Sequence, residues 1–532
     1  MKTTLKTMIV ALACAAGGSA HAQKSALPGG GWLELDKQGL RLLSADGAER
    51  ARFDVRAKQF ELRAGTSGAS SGVKDGQVLA ILIDANTGHV VPLVADAAAG
   101  TLQARPVVPA PASGAEAACL YRDAQRIDYV FQVARDGQAE QWLLKGDTPR
   151  LVRKLALPPH MKHCRVDDAG ATLLLEEPDV GTWAYNAEAE DGGWRKLLKA
   201  GVKPKPAQQY PIVTPRVQTE PMPRLGDAAD DPAIWVNPRH PSDSRVLGTN
   251  KKQGLLVYDL QGRQTQLLDS GRINNVDLRQ NVELGGRRQD LAVATQRDEN
   301  SMVLYTIAAD GLVAEAARFP TPLERIYGMC LYHPAGGALE AFVNDKDGSY
   351  LHYRIGHDGK AYTSTLLRRF KLASQPEGCV ADDAAGRLFM GEEKRGVWAM
   401  SASAAKPDAM RMILPVGASM KADVEGMAIY HGAGAHYLVV SSQGDSSYVV
   451  LDAAAPHKVR GRFRIGTSLE AEIDGTSETD GLDVTSANLG GAFVRGMLVV
   501  QDGYKRLPDG PQNFKYVAWD DVAKALNLVD KP

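Results

Sequence analysis

The sequence has almost no net charge, few cysteines and no long apolar run in its body. Its 62 lysines and arginines balance 63 aspartates and glutamates, so no basic excess marks a nucleic-acid-binding protein. No run reaches the roughly 18 apolar residues that a membrane-spanning helix needs. The five cysteines include no C-x-x-C pair, which argues against a zinc cluster. There is also no P-loop, no dinucleotide-binding glycine motif and no helical H-E-x-x-H pair.

The remaining composition is that of a globular protein with many turns. Of the 532 residues, 44% are hydrophobic and 23% are charged, which excludes wholesale disorder. The 53 glycines and 28 prolines favour short strands over long helices. One short helix is predicted over 519–528. The length suits two domains, or one large repeat domain with an extension.

The first 22 residues have the pattern of a secretory signal peptide. Two lysines precede an apolar run over 8–16, and Ala20-His21-Ala22 forms an A-x-A cleavage site. We expect the mature chain to begin at Gln23 and to be secreted or periplasmic. The alternative is an N-terminal membrane anchor, for which the apolar run is too short.

A repeat runs through the second half of the chain. Six similar polar starts, often followed by glycine, lead into β-type runs at intervals of 44 to 55 residues. This is the size of one four-stranded propeller blade. We therefore predict an all-β fold with a six-bladed β-propeller over 215–532, the alternatives being a β-sandwich or a solenoid. The repeats begin at Asp230, Asn274, Tyr327, Glu377, Glu425 and Asp480.

The first half is a degenerate copy of part of this repeat. Residues 118–121 (ACLY) resemble 329–332 (MCLY), and 163–168 resemble 378–383. The polar starts are lost from the copy.

These features predict a two-part organisation. About three and a half blades over 23–200 form a smaller, incomplete propeller-like accessory domain without its own catalytic centre. A proline-rich, semi-rigid linker follows over 201–223, and its end could already be the first strand of the propeller.

The cysteines beyond the signal peptide follow the repeat. Cys119 and Cys164 occupy equivalent positions in successive predicted blades, and so do Cys330 and Cys379. Inner strands of adjacent blades are neighbours, and an exported protein meets an oxidising compartment. We predict the disulfides Cys119–Cys164 and Cys330–Cys379, the alternative being four buried free thiols.

The polar starts carry the chemistry. Inner strands of a propeller begin near one mouth of the central channel, so the six starts would converge on one rim. Carboxylates and turn carbonyls with few histidines suit calcium. Bases at apparent strand ends in three repeats could hold phosphate oxygens on the same rim. These bases are Lys251, Lys252, Arg297 and Lys346.

Several segments of the second half resemble the signature segments of the β-propeller phytases and occur in the same order. The resemblance covers roughly 215–528, whereas the first half is similar only as a degenerate repeat, as in dual-domain members of that family. The segments are 230–235 (DDPAIW), 249–254 (TNKKQG), 274–279 (NNVDLR), 442–448 (SQGDSSY), 474–483 (DGTSETDGLD) and 512–515 (QNFK).

The resemblance implies a calcium-dependent phosphatase of the 3-phytase type. Its substrate would be phytate, myo-inositol hexakisphosphate, bound as a calcium complex. A calcium-activated water would attack one phosphate while an adjacent subsite holds a second, releasing inorganic phosphate and lower inositol phosphates. We expect a monomer whose partner is this small molecule, with neither nucleic acid nor membrane.

The resemblance also assigns roles to residues, around several structural and catalytic calcium ions. The expected ligands in the cleavage centre are Asp230, Glu377, Asp423, Glu425, Gln443 and Asp474, with Asp231 at a stabilising calcium and Asp480 supporting the metal loop. Glu377 and Asp474 would position the attacking water. Lys251, Arg297 and Tyr327 would contact the phosphate being cleaved. The holding subsite would consist of Lys252, Lys346 and Glu393.

The chain departs from the family pattern at Gln218, where members often have glutamate. Glutamine is neutral and a weaker calcium ligand. Either that metal binds less tightly in this protein, or Glu220 takes its place after a small register shift.

Two other functions are open to this sequence. A six-bladed calcium lactonase or other esterase would need the metal ligands, but not Lys251, Arg297 and Lys346 together. A non-catalytic propeller could capture anionic ligands or a protein partner. Retention of Glu377, Glu425 and Asp474 argues against this second alternative, because the first half has lost its polar starts.

Overall fold

A computed structural model describes residues 23–146, 148–190, 195–199 and 201–528. The predicted signal peptide, with Cys14, lies outside the described residues. Within them the chain forms ten small, mainly antiparallel sheets, which confirms the all-β prediction. In this described part, no helix has the length and apolar character required to cross a membrane.

The first half forms four sheets of four strands, half a blade more than the repeat predicted. Each is a meander in which strands that follow one another in the chain are paired. Sheet 1 contains β1 (Gln23–Ala26), β2 (Trp32–Leu35), β3 (Leu40–Leu43) and β4 (Glu49–Phe53). Sheet 2 contains β5 (Phe60–Ala64), β6 (Gln77–Ile83), β7 (Val90–Asp96) and β8 (Thr101–Ala104). Sheet 3 contains β9 (Ala115–Arg122), β10 (Asp128–Ala134), β11 (Gln138–Lys145) and β12 (Thr148–Ala156), and sheet 4 contains β13 (His163–Asp167), β14 (Thr172–Glu177), β15 (Gly181–Asn186) and β16 (Arg195–Leu197).

The second half begins with two short strands, β17 (Ile212–Val213) and β18 (Val217–Gln218), and continues with six sheets. Sheet 5 contains β19 (Ala229–Trp235), β20 (Arg245–Asn250), β21 (Gly254–Tyr258) and β22 (Gln264–Leu268). Sheet 6 contains β23 (Ile273–Leu284), β24 (Arg287–Gln296), β25 (Ser301–Ile307) and β26 (Val313–Pro320). Sheet 7 contains β27 (Ile326–Tyr332), β28 (Glu340–Asp345), β29 (Ser349–His357) and β30 (Tyr362–Lys371).

The last three sheets have the same meander order. Sheet 8 contains β31 (Pro376–Asp382), β32 (Arg387–Glu392), β33 (Gly396–Ser401) and β34 (Arg411–Pro415). Sheet 9 contains β35 (Val424–His431), β36 (His436–Ser442), β37 (Ser447–Asp452) and β38 (Val459–Ile465). Sheet 10 contains β39 (Leu482–Thr485), β40 (Met497–Asp502) and β41 (Asn513–Ala518), after which α1 (Trp519–Ala525) covers part of the predicted helix. Single-turn 3-10 helices lie at Pro241–Asp243, Gln443–Asp445 and Gly491–Phe493.

The segment predicted as a linker completes the last two sheets. Its strand β17 pairs in parallel with β38 of sheet 9, and β18 pairs antiparallel with β41 of sheet 10. Sheet 10 therefore takes its fourth strand from a point nearly 300 residues earlier, for example through the Val217–Tyr516 pair. The end of the predicted linker thus belongs to a sheet.

Hydrophobic clusters join each of sheets 5 to 10 to the next. In the described residues six such clusters occur, and one of them joins sheet 10 back to sheet 5 through Ile234, Val499 and Phe514. The first strands of these sheets also contact one another in sequence, and β39 contacts β19. In the first half, clusters join sheets 1 to 4 in order, but among the residues described no cluster joins sheet 4 to sheet 1.

The strand sequences explain this layering. The middle strand β21 reads GLLVY, and all five residues are buried because neighbouring sheets cover both of its faces. The outer strand β22 reads QTQLL and is mostly exposed or half-buried. Continuous apolar runs thus mark the middle strands, and mixed runs mark the edges.

Carboxylates link the first strands of adjacent sheets. Asp231 Oδ2 accepts the backbone N–H of Val276 at 3.1 Å, and Asp277 Oδ2 accepts that of Leu331 at 2.8 Å. Asp483 Oδ2 accepts the N–H of Ile234 at 2.7 Å. Since parallel first strands of different sheets do not share a ladder, these side chains satisfy backbone donors that would otherwise be unpaired.

Both predicted disulfides are present. Cys119–Cys164 joins β9 to β13 with a Cα–Cα distance of 5.8 Å, and Cys330–Cys379 joins β27 to β31 at 5.6 Å. The loops that they close span 45 and 49 residues. In the chain-entropy account, each loop is worth about 4 kcal/mol through constraint of the unfolded chain.

Candidate active site

Four of the six polar starts of the second half line one cavity of about 800 Å³. The side chains come from the beginnings of first strands and from loops beside them, because each polar start precedes the apolar part of its strand. The predicted site residues that line it are Lys251, Tyr327, Glu377, Glu393, Asp423, Glu425, Gln443 and Asp480.

Four of these carboxylates, together with Asp230, form two connected groups. In the first group, oxygen atoms of Asp230, Glu377 and Asp480 all lie within 4.8 Å of one another. In the second, the same holds for Glu377, Glu393 and Glu425. Their exposed fractions lie between 1% and 7%, so water screens their repulsion poorly. Glu377 belongs to both groups.

Few neighbours compensate these negative charges. Neither carboxylate oxygen of Asp230 has a hydrogen-bond partner, and Glu425 Oε2 also lacks one. Burial, followed by the Glu377 charge, raises the pKa of Glu425 well above its usual value and that of Glu393 to about 7. Buried carboxylates of this kind need a cation, and a set of oxygen ligands without histidine or cysteine fits a hard divalent ion.

Lys251 supplies one fixed positive charge beside the first group. Its Nζ lies 2.7 Å from Asp480 Oδ2, 3.4 Å from Asp230 Oδ2 and 2.9 Å from Asp227 Oδ1. Burial alone would lower the pKa of this lysine, but the summed carboxylate charges raise it well above its usual value. One ammonium cannot neutralise all the carboxylates around it.

Tyr327 brings two further cations to the cavity. The Lys346 Nζ lies 3.8 Å from the centroid of its ring, and the Arg297 guanidinium carbon lies 5.8 Å from it. Arg297 also donates to Asn274 Oδ1 at 3.1 Å, and Asn274 donates to Glu377 Oε1 at 3.0 Å. The bases from separate sheets thus lie next to the acidic groups.

Lys252 lies at the rim, where it is exposed and its Nζ donates to the carbonyl of Leu225 at 2.5 Å. Cations and carboxylates therefore share one cavity, an arrangement suited to an anionic substrate bound together with a metal ion.

The family model described as Phytase matches residues 201–532. The chain belongs to the phytase family. The 3-phytase of Bacillus subtilis (strain 168) is 38% identical over 328 residues, which cover 59% of this chain and 85% of that protein. The phytase family match thus spans all six sheets of the second half, and the four sheets of the first half precede it.

Two solved structures match this phytase-family chain at low similarity. One is a functionally unknown protein from Desulfotomaculum acetoxidans, with 12% identity, a TM-score of 0.33, and coverage of 62% of this chain and 93% of that one. The other is Saccharomyces cerevisiae Sqt1, with 10% identity, a TM-score of 0.30, and coverage of 71% and 93%.

Asp231, expected at a stabilising calcium, lies apart from both acidic groups. It lines a separate cavity of about 370 Å³ between the first strands. Its Oδ2 accepts hydrogen bonds from the Val276 N–H and from Asn275 Nδ2, the latter at 3.2 Å. The adjacent Asp230 belongs to the first acidic group instead, and both residues lie where the pairing of β19 with β20 is irregular.

Asp474, expected in the cleavage centre, belongs to another buried group. Its Oδ1 accepts from Lys515 Nζ at 2.7 Å, and the same ammonium lies 3.1 Å from Asp502 Oδ2. Its Oδ2 accepts the backbone N–H of Arg506. Asp474 therefore has a protein cation as its partner and is not part of the Glu377 groups.

The same ammonium accounts for Gln218. Lys515 Nζ donates to Gln218 Oε1 at 2.9 Å, so a neutral acceptor suffices where a lysine supplies the charge. Glu220 does not replace it, since this residue is exposed and accepts the Gln264 N–H at 2.9 Å. Lys515 lies in the signature segment QNFK, but the resemblance assigned no role to it. The signal for it was a lone lysine in the apolar strand NFKYVA.

Proposed function

We propose that this member of the phytase family removes phosphate from phytate with calcium bound by the two acidic groups. The observation that carries the proposal is the pair of buried groups that share Glu377. Lys251 lines the same cavity, and Arg297 and Lys346 lie against the ring of Tyr327, which also lines it. An enzyme for a highly charged anion needs such cations, because an uncompensated acidic cavity would repel it.

We further propose that sheets 5 to 10 are the blades of a six-bladed propeller over 215–532. The clusters that join successive sheets, including sheet 10 to sheet 5, support this arrangement. Residues 23–200 would form an incomplete propeller-like domain, and 201–223 the connection whose end enters sheets 9 and 10. The two disulfides support export of the chain after removal of 1–22, and we propose that it acts as a monomer.

The ligand set that we propose follows the two acidic groups. It contains Asp230, Glu377, Glu393, Glu425 and Asp480, with Asp423 and Gln443 in the same cavity. Calcium bound to these oxygens would supply positive charge against the substrate phosphates and acidify an attacking water. Glu377 lies where the two groups meet and is the residue best placed to orient that water.

The bases define where the phosphates would bind. Lys251, Arg297 and Tyr327 would contact the phosphate being cleaved, and Lys252 and Lys346 the adjacent one, with phytate entering as its calcium complex. Lys346 and Arg297 lie against the same tyrosine ring, so both subsites would be held at a fixed separation. This spacing favours neighbouring phosphates on one ring over a lone phosphate monoester.

Phosphate release from phytate by the purified mature chain tests this function. We expect release with millimolar calcium and none with excess chelator. A folded protein that releases no phosphate in either condition would contradict the proposal and favour a binding propeller or a lactonase.

Calcium should stabilise the protein more at neutral than at acidic pH. The pKa of Glu393 is raised to about 7 by burial and the Glu377 charge, and that of Asp480 to about 6 by burial, against values near 4 in an unfolded chain. As the pH falls through 7 and 6, protons bind to these two carboxylates in the folded protein and compete with calcium. For each proton that calcium must displace, the stabilisation by calcium falls by about 1.4 kcal/mol per unit decrease in pH.

The measurement is the calcium-induced change in Tm at about pH 8 and at about pH 5.5. Magnesium at the same concentration is the control for ionic strength. Equal calcium shifts at both pH values would argue against carboxylate ligands with raised pKa values.

A further inference from the structure

The first half of the chain reaches into the loop that carries Asp480. This loop, residues 474–480, connects the end of sheet 9 to β39 and is called the site loop below. Its last residue belongs to the first acidic group and binds Lys251. Asp480 is held from within the second half by its own N–H, which donates to Gln501 Oε1 at 2.8 Å.

The middle of the site loop is held by Glu190, which lies between β15 and β16 of sheet 4. Glu190 Oε1 accepts the backbone N–H of Gly475 at 3.0 Å, and its Oε2 accepts from Ser477 Oγ at 3.1 Å. The side chain is only 17% exposed, and its Oε2 lies 3.7 Å from Nε of Arg506. A carboxylate with two donors and a nearby guanidinium makes strong, directional contacts.

The surroundings leave little freedom for a different loop position. A Cβ at Gly475 would lie 2.3 Å from the carbonyl oxygen of Ile465 and 3.0 Å from Cγ of Glu190. Glycine therefore allows the loop to pack directly onto Glu190. Arg506, on the other side of this carboxylate, lines the catalytic cavity and donates its N–H to Asp474.

Other contacts between the halves lie outside the site loop. Gln125 exchanges two hydrogen bonds with Thr467, at 3.0 and 3.1 Å. Lys145 Nζ donates to the carbonyl of Leu469 at 2.6 Å and pairs with Glu472 at 3.0 Å. These contacts join the halves, whereas Glu190 touches the segment that ends at Asp480 of the first acidic group.

We propose that Glu190 is a positioning residue that sets the geometry of the site loop and thereby the calcium affinity of the Asp480 group. The inference rests on the proposed function. It gives the first half a role in the reaction although this half has no catalytic residue of its own. Partners of ligand-bearing segments typically change metal affinity or activity about 10- to 100-fold when removed.

The test compares full-length Glu190→Ala, Glu190→Gln and the control Lys145→Ala with the unmodified chain. Calcium affinity is measured by calorimetry, together with kcat and KM for phytate, well below the Tm of every variant. We expect Glu190→Ala to weaken calcium binding about tenfold and to lower kcat with little change in KM. Glu190→Gln should be intermediate, because its amide oxygen still accepts from Gly475, and Lys145→Ala should match the unmodified chain.

A Glu190→Ala variant with a lower Tm but unchanged calcium affinity and kcat would overturn the inference, since the contact would then only hold the halves together. Equal losses in Lys145→Ala would overturn it as well. Calcium binding is read without turnover, so failure of the unmodified chain to hydrolyse phytate would refute the proposed function separately.

Discussion

Replacing Glu377 by glutamine is expected to lower kcat for phosphate release from phytate by about 10³-fold. Glu377 is the carboxylate shared by both acidic groups, so this one change removes a charge from each. Glutamine has nearly the same volume and can still accept from Asn274 Nδ2. The free energy of unfolding without calcium should therefore fall little, or rise, because one of the mutually repelling buried charges is gone.

The measurement is kcat with saturating calcium, together with calcium binding by calorimetry. The matched control is Glu340→Gln, a buried glutamate of β28 in sheet 7 that pairs with His352 at 2.7 Å and belongs to neither acidic group. We expect this control to retain kcat even if its stability falls. Full activity of Glu377→Gln would refute the assignment of the shared carboxylate.

Replacing Lys515 by methionine is expected to destabilise the folded protein by about 3–5 kcal/mol. The lysine is fully buried and lies between two buried carboxylates, Asp474 at 2.7 Å and Asp502 at 3.1 Å. Methionine fills similar space but leaves both carboxylates without their ammonium partner. Burial already raises the pKa of Asp502 to about 6 with the lysine present, so the uncompensated pair would be forced toward protonation.

Thermal unfolding in calcium and in chelator measures this effect, with an expected fall in Tm of roughly 10 °C. The control is Lys371→Met, which breaks an ion pair of the same length, 2.7 Å to Asp347, between exposed side chains. Exposed pairs contribute at most about 1 kcal/mol. A Tm for Lys515→Met equal to that of the control would show that the buried ammonium is dispensable.

Much of the architecture could be predicted because the interval between repeats gives the length of each four-stranded unit. The six polar starts do begin the first strands of sheets 5 to 9 or, for Asp480, precede β39. Cysteines in equivalent repeat positions are bonded in both halves, since first strands of adjacent sheets lie side by side. The repeat is weaker in the degenerate first half. Its pattern predicted about three and a half blades, whereas four full sheets form.

Within the site, the sequence predicted which residue types come together. It did not predict the hydrogen-bond and ion-pair partners of each side chain. Asp230, Glu377 and Asp480 come together as expected from six converging starts, and the bases follow at the ends of neighbouring strands. The resemblance to a family carried the roles of single residues, and the family match supports the activity.

The amino-acid sequence by itself determined the all-β class, the repeat, the disulfide pairs and the chemistry available at the rim. These follow from periodicity and composition, which are local properties of the chain. Only the tertiary structure decided that Asp231 faces away from the cavity, that Asp474 binds Lys515, and that Glu190 holds the site loop. The physical reason is that a carboxylate takes its role from the nearest cation or donor in space. For Glu190 that donor lies 285 residues away in the chain.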